Sequence, residues 1–242
     1  DGHAYFLVNA SGKPVDARVK PGRKHVSAVM LDPMSGKSGV VDTTDGIRLV
    51  LGPGESRILR TFSQRNATGP RWSDPIASGE PVALSGTWSV SFTAGGPVLP
   101  PAYQTSAPGS WTEQTDPAYR SFSGTAVYRL EFQWPDDSPA LLDLGEIAHT
   151  AKVRLNGKLA GTCWSPPHRL EVGDLLERGK NVLEVEVTNL AANRIADLDR
   201  RKIPWKAFHE INFVNIDYKD FDAAAWPPQP SGLLGPVVLI PR

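Results

Sequence analysis

The residues best equipped for chemistry crowd into one polar stretch, 189–230. It holds Asn193, Arg194, Asp197, Asp199, Arg200, Arg201, Trp205, His209, Asn215, Tyr218 and Trp226. Flat aromatic faces pack on the C–H-rich side of a sugar ring, and Asn, Asp and Arg meet pairs of hydroxyls. Binding residues also concentrate on loops held by rigid sheets. The expected site is therefore Trp205, Trp226, Asn193, Arg194 and Tyr218, joined by Trp164 from a separate Gly/Pro-rich loop. Trp205 follows Pro204 and Trp226 precedes Pro227-Pro228, so both side chains are expected to be stiffly held. A stiff aromatic loses little entropy on binding. The competing reading is that Arg194 pairs with Asp197 or Asp199 only to pin the loop.

Other chemistries find less support. A glycosidase needs two carboxyl groups about 5–10 Å apart across a bond. Asp197 with Asp199, or Asp217 with Asp220 and Asp222, supply carboxylates, but spacing alone does not set them across a cleft. The sequence has neither a Gly-x-Ser-x-Gly elbow nor a His-Glu-x-x-His zinc motif. The single Cys163 excludes an intrachain disulfide and a cysteine zinc cluster. Beside Trp164, it reads as a small buried filler rather than a nucleophile. The loop from Asp217 to Asp222 is oxygen-rich enough for calcium, yet lacks EF-hand spacing and reads as a solvated acidic loop. No catalytic residue, metal ligand or cofactor is assigned.

Charge narrows the partners. Lys and Arg total 26, as do Asp and Glu. A zero net charge gives no general draw toward nucleic acid or acidic membrane surfaces. It suits a neutral polyhydroxyl ligand, or none, better than a polyanion. No apolar run approaches the length of a membrane span. The hydrophobic fraction of 40% is enough for packed cores, and 242 residues allow one large or two small domains.

The elements that must position these residues read as strands. With 22 Gly and 22 Pro, the chain is rich in turns. Ala4–Val8, His25–Leu31, Ile47–Leu51 and Ser56–Leu59 are short apolar runs closed by turn clusters, as in a small antiparallel sandwich. Thr68-Gly69-Pro70 and Ser73-Asp74-Pro75 interrupt regular structure. Beyond them, Ala126, Tyr128, Leu130, Phe132 and Trp134 alternate with mixed residues, the clearest period-two pattern in the chain. Trp88-Val90-Phe92 and Leu183-Val185-Val187 do the same, so Trp88 and Trp134 are expected in the core. Trp111, in a Gly/Pro context, is expected to cover the sandwich edge or to meet a ligand. Asn156-Gly157 between apolar residues predicts a tight hairpin. No helix-period segment of useful length occurs; Asp174–Glu177 and part of 194–212 could each form a helical turn.

One ordered set of signals is more specific. Ser123–Tyr128, Asp143–Ala148, Val153–Lys158, Asp174–Leu176, Gly179–Asn181, Leu183–Asn189 and the closing Ser231–Val237 follow one another in the chain. Together they resemble the sugar-binding β-sandwich of family 2 glycoside hydrolases, a galactose-binding-like jelly roll. A narrower resemblance adds Tyr5–Asn9, Leu31–Pro33 with Gly36, Leu51–Ser56 and Thr188–Ile195. These are similar to the C-terminal region of bacterial α-L-rhamnosidase-like enzymes of glycoside hydrolase family 106.

The resemblance implies an all-β chain, a galactose-binding-like jelly-roll β-sandwich preceded by a small antiparallel β-sandwich unit. The expected organisation is 1–65 for the small unit, 66–80 for a linker and 81–242 for the jelly roll. It also implies a non-catalytic accessory region whose partners are an oligo- or polysaccharide and a catalytic domain N-terminal to it, secreted or periplasmic in a bacterium. The rival reading is a scaffold that packs on that domain and binds nothing. A start at Asp1 without Met fits a processed or excised piece. No catalytic barrel is present, so the family's catalytic residues have no counterparts here.

Overall fold

The computed structural model describes residues 1–74, 79–135, 139–207 and 218–241. The chain divides into two compact units, Asp1–Ile76 and Ala77–Arg242. Both are built almost wholly from antiparallel strands.

The first unit holds β1 (His3–Val8), β2 (Val15–Val19), β3 (Ser27–Leu31), β4 (Ser38–Val41), β5 (Ile47–Leu51) and β6 (Ser56–Phe62). Four strands form a sheet in the order β1-β6-β3-β4, and β2 pairs with β5. Alternation turns Ala28, Met30 and Leu59 inward to meet Ile47, Leu49 and Leu51. Residues 70–74 are tied to this unit, because Trp72 N–H donates to Val40 O at 2.9 Å and its ring joins the core. The guanidinium of the buried Arg57 lies 5.7 Å from that ring, with Asp32 and Glu55 at 3.7 and 3.8 Å.

The second unit contains β7 (Val82–Ala83), β8 (Trp88–Gly96), β9 (Tyr103–Thr105), a 3-10 turn (Trp111–Glu113), α1 (Pro117–Ser121) and β10 (Ser123–Trp134). There follow β11 (Ala140–Asp143), β12 (Glu146–Ala148), β13 (Thr150–Leu155), β14 (Lys158–Cys163), β15 (Arg169–Glu171) and β16 (Gly179–Thr188). The chain ends through α2 (Ala192–Arg200), β17 (Gly232–Gly235) and β18 (Val238–Pro241). One sheet runs β14-β13-β16-β10-β8-β9 and the facing one β15-β11-β18-β7, with β12 and β17 as a separate pair. This is the β-sandwich that the resemblance implies.

Its core follows from the alternation in β10. Ala126, Tyr128, Leu130, Phe132 and Trp134 point inward, together with Trp88 and Val90 of β8 and Leu183, Val185 and Val187 of β16. Asn156 and Gly157 close the β13–β14 hairpin with φ of 52° and 76°, as a type I′ turn requires. Asn156 does more than turn the chain: its amide donates to Leu175 O and Asn181 Oδ1 and accepts from Val182 N–H.

Two sequence expectations are corrected. Trp111 neither covers an edge nor faces outward; it is fully buried, edge-on to Phe92 at 5.4 Å and Phe122 at 5.8 Å. The 3-10 turn, capped by Ser110, folds its side chain into the sandwich. Helices also exist where the apolar period gave no warning. α2 is nine residues long and buries only Asn193 and Ala196, too small a face to mark a helical stripe.

Gly232 shows how tightly the start of β17 is fitted. Its φ is 111°, and a Cβ there would run into the Tyr128 hydroxyl and, at 2.8 Å, the Trp111 ring. Gly232→Ala is expected to cost about 2–4 kcal/mol of stability. Gly109→Ala, with open space around it, should cost less than about 0.5 kcal/mol. Urea unfolding of the two variants checks the contrast.

Candidate functional site

The six predicted residues separate into three groups. Asn193 and Arg194 start α2. Trp205, Tyr218 and Trp226 lie in the connection between α2 and β17. Trp164 follows β14, the edge strand of the larger sheet. It is 62% exposed and makes no ring contact with the other aromatics among the described residues. His209, Asn215 and Asp217 lie outside the described residues.

Asn193 is buried and spends its amide within the protein. It donates to Gln229 O at 2.8 Å and Ser231 Oγ at 3.2 Å, and accepts from Gln229 N–H at 2.8 Å. The neighbouring Asn189 donates to the same Ser231 Oγ at 3.0 Å and to Phe122 O, and accepts from Gly124 N–H. On the other side, Ser231 N–H donates to Ser110 Oγ at 3.0 Å, and Trp111 N–H donates to Ser231 O. The node is buried, and each named amide and hydroxyl group in it has a partner, as buried polar groups require. It fixes where the connection from α2 re-enters the sandwich.

Arg194 forms a 3.1 Å ion pair with Asp197, one turn on, and Arg201 reaches the same carboxylate at 3.3 Å. The pair is the pinning contact weighed against ligand binding in the sequence. α2 then ends with Lys202 in the left-handed region, φ 55°, with Lys202 N–H donating to Asp199 O and Ile203 N–H to Leu198 O. Glycine usually fills that position.

Beyond the helix the aromatics meet. Trp205 and Trp226 both stand edge-on to Phe221, at 6.0 and 5.5 Å with interplanar angles of 86° and 85°. Asp199 anchors the group, accepting from the Trp205 indole at 2.6 Å and from Ala223 N–H at 2.8 Å. Lys206 Nζ lies 5.7 Å from the Trp205 and Phe221 rings, 4.0 Å from Asp199, and donates to Phe221 O. Phe221 and Asp199 are thus the organising residues that the predicted set omitted. The sequence names Asp199 only as one polar residue among many, and nothing in Asp220-Phe221-Asp222 marks the ring as a hub. Stiffness at Trp205 comes from Asp199 and Phe221 as well as from the adjacent proline. Trp226 is 40% exposed and Tyr218 79%, so both present aromatic surface to solvent, whereas Trp205 is half-buried.

The electrostatics match this geometry. Burial tends to raise the Asp199 carboxyl, but the Ala223 N–H, the Trp205 indole and the Lys206 charge together hold it below its ordinary value. Burial, reinforced by the Asp143 carboxylate, pushes the Cys163 thiol up to about 12, so it stays protonated and inert. Among the described residues no group of three or more His, Cys, Asp or Glu side chains is arranged to hold a metal ion. No helix among them is long and apolar enough to cross a membrane.

No protein-family model matches the chain. A rhamnosidase from Novosphingobium sp. PP1Y superposes over 98% of it with a TM-score of 0.72 and 27% identity. The chain is a glycoside-hydrolase-like β-sandwich region. A Formosa agariphila protein whose beta-glucuronidase assignment is provisional is 36% identical over 157 residues. The chain spans 13% of that protein and 22% of the rhamnosidase. The rhamnosidase-like resemblance of the motifs and the two-sheet fold they imply therefore both hold.

A depressed carboxyl stabilises the folded form fully above its unfolded pKa, near 3.9, and ceases to as pH falls through the lower folded value. Acidification below about pH 4 should therefore loosen the Trp205–Phe221–Trp226 group, seen as a change in tryptophan emission. Asp199→Asn, neutral at every pH, should lose most of that acid-dependent change.

Proposed function

We propose that this chain is a non-catalytic, carbohydrate-binding accessory region of a rhamnosidase-like glycoside hydrolase. In this reading it works beside a catalytic domain, secreted or periplasmic in a bacterium, on plant or bacterial polysaccharide. The carrying observation is the Trp226 face: open to solvent, yet braced edge-on by Phe221, which stands edge-on to Trp205, itself held by Asp199. A braced aromatic face suits the C–H side of a sugar ring. The similarity to glycoside hydrolases supplies the ligand class.

Of the six residues, we assign direct contact to Trp226 and Tyr218. Trp205 supports the face from behind. Asn193 and Arg194, engaged with Gln229, Ser231 and Asp197, shape the loop. Trp164 is assigned to a separate exposed position.

One observation favours the scaffold reading. On the outer face of the β1-β6-β3-β4 sheet, Phe6, Ile58 and Leu31 sit in register, and Phe6 is 68% exposed. An apolar row of this kind is a surface on which a neighbouring domain can pack.

Calorimetry with neutral and acidic plant and bacterial polysaccharides tests the choice. Binding is expected to be weak, and Trp226→Ala should weaken it about tenfold, the loss of one stacking contact of about 1.4 kcal/mol. A folded chain that binds no glycan overturns the binding reading and leaves the outer face of that sheet as the functional surface.

A further inference from the structure

The aromatic face does not account for the opposite side of α2. There a pocket of about 450 Å³ opens between α1 and α2. Its walls carry Arg120 from α1, Arg200 and Arg201 from the end of α2, and one carboxylate, Asp197; Pro117 and Pro228 supply apolar surface. Three arginines face a single acid, and that acid already serves two guanidinium groups, those of Arg194 and Arg201. Among the described residues Arg120 and Arg200 have no carboxylate partner, and both are exposed. The pocket is therefore locally cationic in a chain whose net charge is zero.

Sequence ties this pocket to the aromatic face. Asp199, which anchors Trp205, is adjacent to Arg200, and Trp226 is two residues from Pro228. Successive residues on a helix point about 100° apart, so α2 serves the aromatic group with one side and the pocket with another. The volume is within the usual range for small-ligand sites, about 300–1,000 Å³. Arginine forks suit planar or tetrahedral oxyanions, which they grip by paired hydrogen bonds.

We infer that the pocket lined by Arg120, Arg200 and Arg201 binds an anionic substituent of a polysaccharide, the carboxylate of a uronic acid or a sulfate ester. This rests on the carbohydrate-binding reading and makes it more specific: the glycan is acidic, although overall charge alone points to a neutral one. The two anions share one chemistry at the pocket, and the choice between them belongs to the experiment.

Titrate the 242-residue chain calorimetrically with three oligosaccharides of matched length: a polygalacturonate, a sulfated dextran and an unmodified dextran. Compare wild type with Arg120→Gln/Arg200→Gln, with Arg200→Lys, and with Lys158→Gln on the exposed β13–β14 hairpin as a charge control. At least one acidic glycan should bind about tenfold or more tighter than neutral dextran, and the better of the two identifies the anion. The double variant should lose that advantage, Arg200→Lys should lose part of it because lysine lacks the fork, and Lys158→Gln should change it less than twofold. Equal affinity for acidic and neutral glycans, or equal losses in the double variant and the Lys158 control, overturns the inference. Neutral binding that still depends on Trp226 would then leave the broader reading intact, whereas no binding to any of the three by a folded chain overturns both. A thermal melt of each variant separates lost affinity from lost fold.

Discussion

Everything proposed for the second unit depends on the buried polar node at Ser231. Its hydroxyl takes hydrogen bonds from Asn189 and Asn193, its N–H goes to Ser110, and its carbonyl receives Trp111 N–H. These partners join the end of β16, the start of α2, the 3-10 turn and the entry to β17. In water such bonds contribute little net energy, but a buried amide left without its partner costs about 1–3 kcal/mol. The node therefore specifies one path for the chain and penalises others. Gly232 extends the constraint, since only a residue without a side chain fits between Tyr128 and Trp111.

With both ends of the α2–β17 connection fixed, a short helix can do two jobs. Asn193 and Ala196 dock it against the sandwich. Asp199, 9% exposed, carries the aromatic group on one flank. Arg200 and Arg201 line the pocket on another. The described part of the polar loop is thus shaped from within, and Trp226, Tyr218, Arg200 and Arg201 are among the residues it leaves exposed. This division explains why some polar residues of the stretch are structural and their immediate neighbours are free to meet a ligand.

The strands were legible because their signal is local and periodic. Alternation in β10 follows directly from one face being buried, and Asn156-Gly157 marks its hairpin because both residues must take positive φ. The helices were not legible by the same means. α2 buries one asparagine and one alanine, and lysine replaces the glycine that usually marks a helix end. α1, capped by Asp116 and opening with Pro117, has only five residues, too few to show a period. At the candidate site, composition singled out the stretch that holds the braced aromatic group and the exposed Trp226. It could not separate Asn193 from a ligand-facing asparagine, because that distinction is made by Ser231 and Gln229, more than thirty residues away. Trp111 misled for a related reason: Gly and Pro report the path of the backbone, while the direction of the side chain was decided by the distant Ser231.

The central claim is that carbohydrate meets this chain at the braced surface between α2 and β17. Hydrogen–deuterium exchange of the 242-residue chain, with and without a saturating glycan, tests it most directly. The account predicts slowed exchange in peptides covering 197–206 and 218–231, with the first unit unchanged. Protection confined to the β13–β14 hairpin or to the first unit, with no change in those two segments, would contradict it.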